Sequence, residues 1–352
     1  MRPTRFHVVA VWATVLVLGG LVGLRFASTS VGPDDPAAAA ETTTTVPTSP
    51  STVDPTTVPS TTVAPTTTVA PTTTTAAPAV KAAATPDLGV YAGLGTWIDV
   101  YDWSETFNRY AEKRVGLADI DRMADLGVQT LYVQTSKWDS PTEVLEPDRL
   151  LPLVARAKAR GMGVVAWYLP TFENPQADMA RLMAATRIPG VDSLAVDIES
   201  LKFKDVAERN RRLLEISTNL RAALPDMALG AIPYPPVVTD VINPSLWPDF
   251  PWRELAPLYD VWLPMSYQSN RKQSSGYRDA YRYTGENIDR MRARLGARVP
   301  VHTIGGIADE TSPGDVSGML RAAVERGALG GSLYDWHTTG PGLWPGLQRF
   351  KK

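Results

Sequence analysis

The chain has 352 residues, 20% of them charged, a net charge of −2 and no cysteine. Without cysteine it has no disulfide framework, no metal site held by thiolates and no thiol nucleophile. Because the charge is nearly balanced and lysine and arginine form no run, the phosphate-neutralising surface of a nucleic-acid-binding protein is also missing, and we expect no nucleic-acid partner.

Residues 1–27 contain an uncharged apolar run, 8–24, with basic residues before and after it. The run is long for the apolar part of a signal peptide and at the lower limit for a helix that spans a bilayer, so the segment is an apolar signal-anchor helix or a cleaved signal peptide. We favour the anchor, because Arg25 crowds the small residues Ser28 and Ser30 at which cleavage would occur. In both cases the rest of the chain is expected outside the cytoplasm, held to the cell membrane by a single span or secreted.

Residues 28–86 consist almost entirely of Thr, Pro, Ala, Val and Ser, and Thr-Val-Ala-Pro-Thr-Thr-Thr occurs at 62–68 and again at 68–74. Such a composition cannot bury enough apolar surface to offset its conformational entropy, and its prolines favour extended polyproline II. We interpret the segment as a disordered Thr/Pro/Ala-rich linker. At about 3.1 Å per residue it could extend by more than about 100 Å.

Residues 87–352 have the composition of a globular domain. Apolar runs predict eight strands, at 96–101, 129–135, 163–169, 193–199, 228–233, 260–267, 299–304 and 331–336. Helical patterns alternate with them, at 116–126, 147–160, 175–187, 205–223, 252–257, 275–295 and 312–327. Glycines such as Gly161 and Gly327 end helices directly before strands. This alternation predicts an α/β fold, the (β/α)8 or TIM barrel. A doubly wound open sheet is the alternative, but no Gly-x-Gly-x-x-Gly turn follows the first strand.

The fourth predicted strand carries two acidic side chains on one face. Leu194, Val196 and Ile198 alternate there with Ser193, Ala195, Asp197 and Glu199. If helices cover the apolar face, Asp197 and Glu199 point inward at the carboxyl end of the strand, where such barrels keep their chemistry. Carboxylates spaced i, i+2 lie roughly 7 Å apart, so their titration is coupled. One can then stay protonated beside an ionised partner, as glycosidases require. Two solvated acids at an ordinary strand end are the alternative.

The same stretch resembles the active-site strand of family 18 chitinases, Asp-Gly-x-Asp-x-Asp-x-Glu. Asp192 stands at its first position, Asp197 at the third Asp and Glu199 at the final Glu, while Ala195 replaces the middle Asp. The resemblance implies a barrel that hydrolyses glycosidic bonds.

Two later stretches resemble other strands of that family. Leu263-Pro-Met-Ser-Tyr-Gln268 is similar to its Met-x-Tyr-Asp strand, with Gln268 in place of the Asp. Gly331-Ser-Leu-Tyr-Asp-Trp336 is similar to the last strand, whose Trp forms the floor of the sugar site.

Family 25 lysozymes are a second template. Trp97-Ile-Asp-Val-Tyr-Asp-Trp103 resembles their opening Ile-Asp-Val-Ser-x-Trp, and their Asp-x-Glu strand aligns with Asp197 and Glu199. Both resemblances rest on short motifs in the right order.

These resemblances imply roles for four residues. Glu199 would be the general acid/base, and Asp197 would orient the reacting group and stabilise positive charge. In the chitinase template the 2-acetamido oxygen of an N-acetylhexosamine is the nucleophile and Tyr267 helps to hold it, whereas the lysozyme template adds Asp99. The middle Asp belongs to the proton cycle of active chitinases, so Ala195 leaves open a non-catalytic barrel that only binds glycan.

Further side chains are candidate substrate contacts, because aromatic rings stack on the C–H faces of sugars. By strand parity and position these are Trp97, Tyr101, Gln134, Tyr168, Tyr234, Met265 and Trp336. His302 could join them from strand 7. The three histidines show no His-x-x-x-His spacing, so we expect no metal site, and no cofactor. The expected partner of this monomer is a polysaccharide or peptidoglycan-like glycan.

Overall fold

The computed structural model describes residues 86–352, so the predicted segment 1–27 and nearly all of the linker 28–86 lie outside the described residues. The strands are β1 (Gly93–Ile98), β2 (Thr130–Gln134), β3 (Gly163–Tyr168), β4 (Ser193–Ile198), β5 (Leu229–Pro233), β6 (Val261–Trp262), β7 (His302–Gly306) and β8 (Gly330–Tyr334). The α-helices are α1 (Val100–Trp103), α2 (Leu117–Asp125), α3 (Pro147–Ala159), α4 (Pro175–Ala185), α5 (Val206–Ala223), α6 (Trp252–Leu255), α7 (Ala280–Leu295), α8 (Pro313–Glu325) and α9 (Trp344–Leu347). Within 86–352, no helix is long and apolar enough to cross a membrane.

The strands form one parallel sheet in the order β6-β5-β4-β3-β2-β1-β8-β7. Parallel bridges between Trp262 and Val301 and between Met265 and Ile304 join β6 to β7. The sheet therefore closes on itself, which confirms the predicted (β/α)8 barrel and rules out the open sheet. β6 is short because Pro264 has no N–H to donate to a neighbouring strand.

The first strand differs from its prediction. β1 spans Gly93–Ile98 and not 96–101. The Asp99 carboxylate accepts a hydrogen bond from the backbone N–H of Tyr101 (2.7 Å), and the Asp102 carboxylate accepts one from the Asp99 N–H (2.8 Å). This capping box starts helix α1 directly after the strand. The prediction that the first strand continues through Asp99 to Tyr101 was therefore wrong.

Buried side chains pack on both faces of the barrel sheet, between the sheet and the helices and in the interior. On the outer face, residues such as Leu131 of β2 and Leu150 of α3 form one buried cluster, and Val196 of β4 and Leu213 of α5 belong to another. The interior is filled by a third cluster that is rich in aromatic rings. Helices thus cover the apolar face of β4, as predicted, and the other face looks into the barrel.

A polar network crosses the base of the interior. Trp97 stacks on Tyr132 (ring centroids 4.1 Å apart) and donates its indole N–H to Ser332 Oγ (2.8 Å). His302 Nδ1 donates to the Tyr91 carbonyl (2.9 Å), and its Nε2 lies 3.0 Å from Ser332 Oγ. Since the backbone carbonyl can only accept, His302 carries a proton on Nδ1. His302 is fully buried and part of the core.

We expect this histidine to make stability depend on pH. Burial lowers the pKa of His302 from 6.5 to about 4. The unfolded chain therefore binds the extra proton first, and stability is lost as pH falls from 6.5 towards 4, by about 2 kcal/mol at pH 4.5. Denaturant unfolding at pH 7 and pH 4.5 measures the loss. The variant His302→Gln should lose less stability over the same window, and an equal loss in both proteins would contradict this assignment.

Candidate active site

The two acidic residues of the fourth strand lie at the carboxyl end of the barrel, as predicted. Asp197 has the same parity as Ala195, which faces the interior, whereas Val196 and Ile198 pack in the helical layer. Glu199 follows the last residue of β4. Asp197 is only 6% exposed, and its Oδ1 has no hydrogen-bond partner among residues 86–352. A carboxylate oxygen is thus buried without a protein donor.

Burial changes the ionisation of both groups. It raises the pKa of Glu199 from 4.5 to about 7. Burial, and secondarily the charge of Glu199, raise the pKa of Asp197 well above its usual range. Because the two charges oppose each other, the pair retains a proton near neutral pH. A proton donor and a carboxylate that can carry charge then stand side by side.

The position of the missing middle Asp faces the barrel interior. Ala195 is fully buried in the interior cluster. A Cβ placed on Gly230 of the next strand would lie 3.1 Å from the Ala195 Cβ, 2.8 Å from Tyr91 Oη and 2.9 Å from Leu263 Cδ1. The interior position before Asp197 therefore carries no charge, and the charge that acts on Asp197 is that of Glu199.

Two tyrosines border the pair. The Tyr267 phenol follows β6, and burial together with the charges of Glu199, Asp197 and Asp335 raises its pKa, so it remains a hydrogen-bond donor. Tyr234 donates its hydroxyl to the backbone carbonyl of Glu199 (2.9 Å), which fixes the chain just after β4. The Tyr267 phenol thus feels the charges of both carboxyl groups, whereas the Tyr234 hydroxyl positions Glu199.

A second acidic cluster lies at the ends of β1 and β8. One carboxylate oxygen from each of Asp99, Asp102 and Asp335 lies within 4.8 Å of the others. Tyr334 donates its hydroxyl to Asp99 Oδ2 (2.7 Å), and His337 Nδ1 lies 2.9 Å from Asp102 Oδ1. Burial, followed by the charge of Asp102, raises the pKa of Asp335 to about 7, and burial raises that of Asp99 well above its usual range.

Oxygen atoms in this arrangement are ligands that a divalent cation would use. The prediction of no metal site considered histidine spacing alone and did not identify this cluster. Its carboxylates already have structural partners in the chain, because Asp99 and Asp102 cap helix α1 and Asp335 Oδ1 accepts from the Thr338 N–H (2.9 Å). Tyr267 connects the two acidic groups, since its ring centroid is 6.2 Å from that of Tyr334.

Of the next four predicted substrate contacts, Met265, Gln134 and Trp97 lie in or beside the interior, and Tyr101 packs against the outer cluster. Met265 is 5% exposed in the interior cluster. Gln134 accepts a hydrogen bond from the Val100 N–H through its Oε1 (3.2 Å). Trp97 is 1% exposed and belongs to the packed core. Tyr101, on α1, packs against Phe107 (ring centroids 5.5 Å apart).

Besides Tyr234, two predicted contacts remain, and both lie in the outer layer. Tyr168 is the last residue of β3, packs among the residues that face α4 and α5, and donates its hydroxyl to Asp178 Oδ1 (2.7 Å). Trp336 packs in the cluster under the helices, with its ring centroid 5.5 Å from that of Trp344. Neither side chain lies in the barrel interior. The structure thus corrects the prediction that Tyr168 and Trp336 contact a sugar there.

Interior positions beside them hold aromatic residues that the sequence analysis missed. Trp167 on β3 and Tyr334 on β8 belong to the interior cluster and are 4% and 8% exposed. A signal for both was present in strand parity, because Val165 and Trp167 alternate with outward residues, as do Ser332 and Tyr334. Trp167 and Tyr334 thus face the interior of the barrel.

The barrel resembles those of solved glycoside hydrolases. The C-terminal domain of a putative chitinase from Desulfitobacterium hafniense DCB-2 matches with a TM-score of 0.54 and 12% sequence identity. The match covers 74% of this chain and 100% of that chain. The Bacillus cereus spore cortex-lytic enzyme SleL matches with 0.53 and 9% identity, over 74% of each chain. The endo-β-1,4-mannanase from Thermotoga petrophila matches with 0.51 and 10% identity, over 69% of this chain and 68% of that chain. No family model and no curated protein matches the sequence. At these identities the likeness shows a shared fold.

Proposed function

We propose that this protein is a glycoside hydrolase that cleaves a glycan containing N-acetylhexosamine, with Glu199 as general acid/base and Asp197 as its partner. One observation carries the proposal. A carboxyl group whose pKa is raised to about 7 stands next to a second buried carboxyl at the carboxyl end of β4. The solved barrels of similar fold include a chitinase, a cortex-lytic enzyme and a mannanase, which supports a glycan substrate.

The proposed first step needs one proton. Glu199 gives its proton to the glycosidic oxygen, and the bond between that oxygen and the anomeric carbon breaks. The acetamide oxygen of the same sugar forms a new bond to the anomeric carbon, which gives a cyclic cation. Asp197 orients the acetamide and stabilises this positive charge, and the Tyr267 hydroxyl helps to hold the group.

The second step returns the proton. Glu199, now ionised, accepts a proton from water, whose oxygen attacks the anomeric carbon and opens the ring. The glycan is released with a new reducing end and the acetamide intact. Because one residue acts as acid and then as base, a pKa near neutral suits both steps.

Incubating the full chain with peptidoglycan and with chitin oligomers tests this function. New reducing ends should form with at least one of them, and Glu199→Gln should abolish them. Ala195 favours a second candidate, a barrel that binds glycan without cutting it. Retention of the chain on the same glycans without any new reducing ends would establish that candidate instead.

We also propose that the barrel acts outside the cytoplasm, carried by residues 1–27 and spaced from the membrane by 28–86. The apolar run with its basic flanks and the Thr/Pro-rich composition support this placement. Protease added to intact cells should digest the barrel. Its full protection, lost only when the cells are lysed, would contradict the placement.

A further inference from the structure

A buried arginine near the proposed site has two nitrogens without a partner. Arg209 lies on the inward face of α5 and is only 3% exposed. Its Nη1 donates to the Phe203 carbonyl (3.1 Å), whereas its Nε and Nη2 have no hydrogen-bond partner among residues 86–352. Glu208, the acid next to it in the chain, forms ion pairs with two other arginines of α5. Two donors of a cationic group are thus buried without an acceptor.

The side chain of Arg209 keeps its positive charge in this position. Burial lowers the pKa of its guanidinium below the ordinary value, but an arginine retains its proton at any pH at which the fold would be studied. An unpaired buried charge destabilises a fold strongly, and buried charges are therefore paired as a rule. The arrangement indicates a place for an anion.

The two unpartnered nitrogens define the shape of that anion. The N–H bonds of Nε and Nη2 point from one edge of the guanidinium and match the two oxygens of one carboxylate. The chain uses the same edge elsewhere, since Arg156 donates from Nε and Nη2 to the two oxygens of Asp121 (2.7 and 2.8 Å). Trp247 supports the guanidinium of Arg209, whose Cζ lies 4.1 Å from its ring centroid. The Nε–Nη2 edge of Arg209 therefore fits a carboxylate.

This edge belongs to the loop that begins with Glu199. Tyr234 holds the start of the loop through the Glu199 carbonyl (2.9 Å), and Arg209 holds Phe203 four residues later. Burial, followed by the charge of Glu199, raises the pKa of the Tyr234 phenol, and the charge of Arg209 opposes the increase. The two residues after Phe203 are exposed. The guanidinium thus lies near the surface and within one loop of Glu199.

We propose that the Nε–Nη2 edge of Arg209 is a carboxylate-binding site, and that a carboxylate substituent of the bound glycan occupies it. The substrate class is then an acidic glycan, in which amino sugars carry carboxyl groups. The position beside Glu199 supports a glycan ligand, because a chain cleaved there brings its substituents to this loop. The identity of the ligand rests on the proposed function, whereas the carboxylate site does not. Since both nitrogens are covered, binding requires residues 200–203 to move aside.

Acetate tests the site itself in the full chain. With ¹⁵N-labelled arginine, sodium acetate should shift the Nε resonance of Arg209, and sodium chloride at equal ionic strength should not. Loss of the resonance in Arg209→Lys assigns it, and Arg209→Gln serves if the lysine variant does not fold. The matched control is Arg211→Lys, which should retain the shift, because Arg211 already donates from Nε and Nη2 to Glu208 (2.6 and 2.7 Å). An Arg209 resonance that acetate leaves in place would overturn the site.

The source of the carboxylate is tested in the full-length Glu199→Gln variant. Glycan strands of peptidoglycan freed of their peptides should bind about tenfold more tightly than the same strands with their carboxyl groups reduced to alcohols. Arg209→Lys in this background should remove the difference, and Arg211→Lys should keep it. Equal affinities, or no binding of either strand, together with an acetate shift would retain the site and overturn the glycan as its ligand. New reducing ends formed by the wild type decide the proposed function separately.

Discussion

Glu199→Gln should lower kcat at least about 100-fold on any glycan that the wild type cleaves, with little change in glycan affinity. Glutamine keeps the size of the side chain and cannot give a proton to the leaving oxygen. Steady-state kinetics on chitin oligomers measure the loss, and binding to the same oligomers is the control. A variant that retains near-wild-type hydrolysis would remove Glu199 from the mechanism.

The same substitution should stabilise the fold at neutral and higher pH. The pKa of Glu199 rises from 4.5 to about 7 on folding, so the native state binds more protons than the unfolded chain in that window. Stability therefore falls as pH rises from 4.5 to 7, and the partly buried carboxyl costs about 2 kcal/mol above it. Denaturant unfolding at pH 8 should show Glu199→Gln to be more stable than the wild type, by an amount that shrinks towards pH 4.5.

Asp197→Asn should lower kcat/KM about 100-fold, and Asp99→Asn much less. Asp197 stands beside Glu199 with one oxygen unpaired, whereas both oxygens of Asp99 accept hydrogen bonds from the chain, from the Tyr101 N–H and the Tyr334 hydroxyl. A thiazoline that mimics the cyclised intermediate should bind far more tightly than substrate, because intermediate analogues capture interactions made near the transition state. Asp197→Asn should weaken that binding.

The lysozyme-like route predicts the reverse. If a carboxylate or an activated water performs the attack, the thiazoline should bind no better than a plain disaccharide and Asp99→Asn should be severe. Measuring thiazoline inhibition of the wild type, Asp197→Asn and Asp99→Asn under one set of conditions separates the two routes.

Strand β4 could be predicted because apolar residues alternate along it with small and acidic ones. Alternation with a period of two indicates a strand with one face buried under helices. The start of the barrel could not be predicted in the same way. Residues 97–101 also alternate, but Asp99 and Asp102 compete with the strand by capping a helix, and a side chain that bonds to nearby backbone overrides the pattern. The local hydrogen bonds became visible only in the structure.

The site at β8 was misassigned for a related reason. Motif resemblance placed Trp336 at the sugar site, but β8 ends at Tyr334, and Trp336 turns into the outer layer. Trp336 has the same parity as Tyr334, but the strand has already ended, so the period of two no longer places its side chain in the interior. The surroundings of Ala195 also needed the structure, because only the structure reveals that this position is fully buried in the interior cluster.

The pH dependence of kcat/KM on an N-acetylglucosamine oligomer tests the central claim most directly. Glu199 must be protonated to act as the acid, and its pKa is raised to about 7. We therefore expect kcat/KM to fall about tenfold per pH unit above about pH 7, where the free enzyme loses that proton. A rate that stays constant up to pH 9, or hydrolysis that survives in Glu199→Gln with the same profile, would contradict the assignment of Glu199 as the catalytic acid.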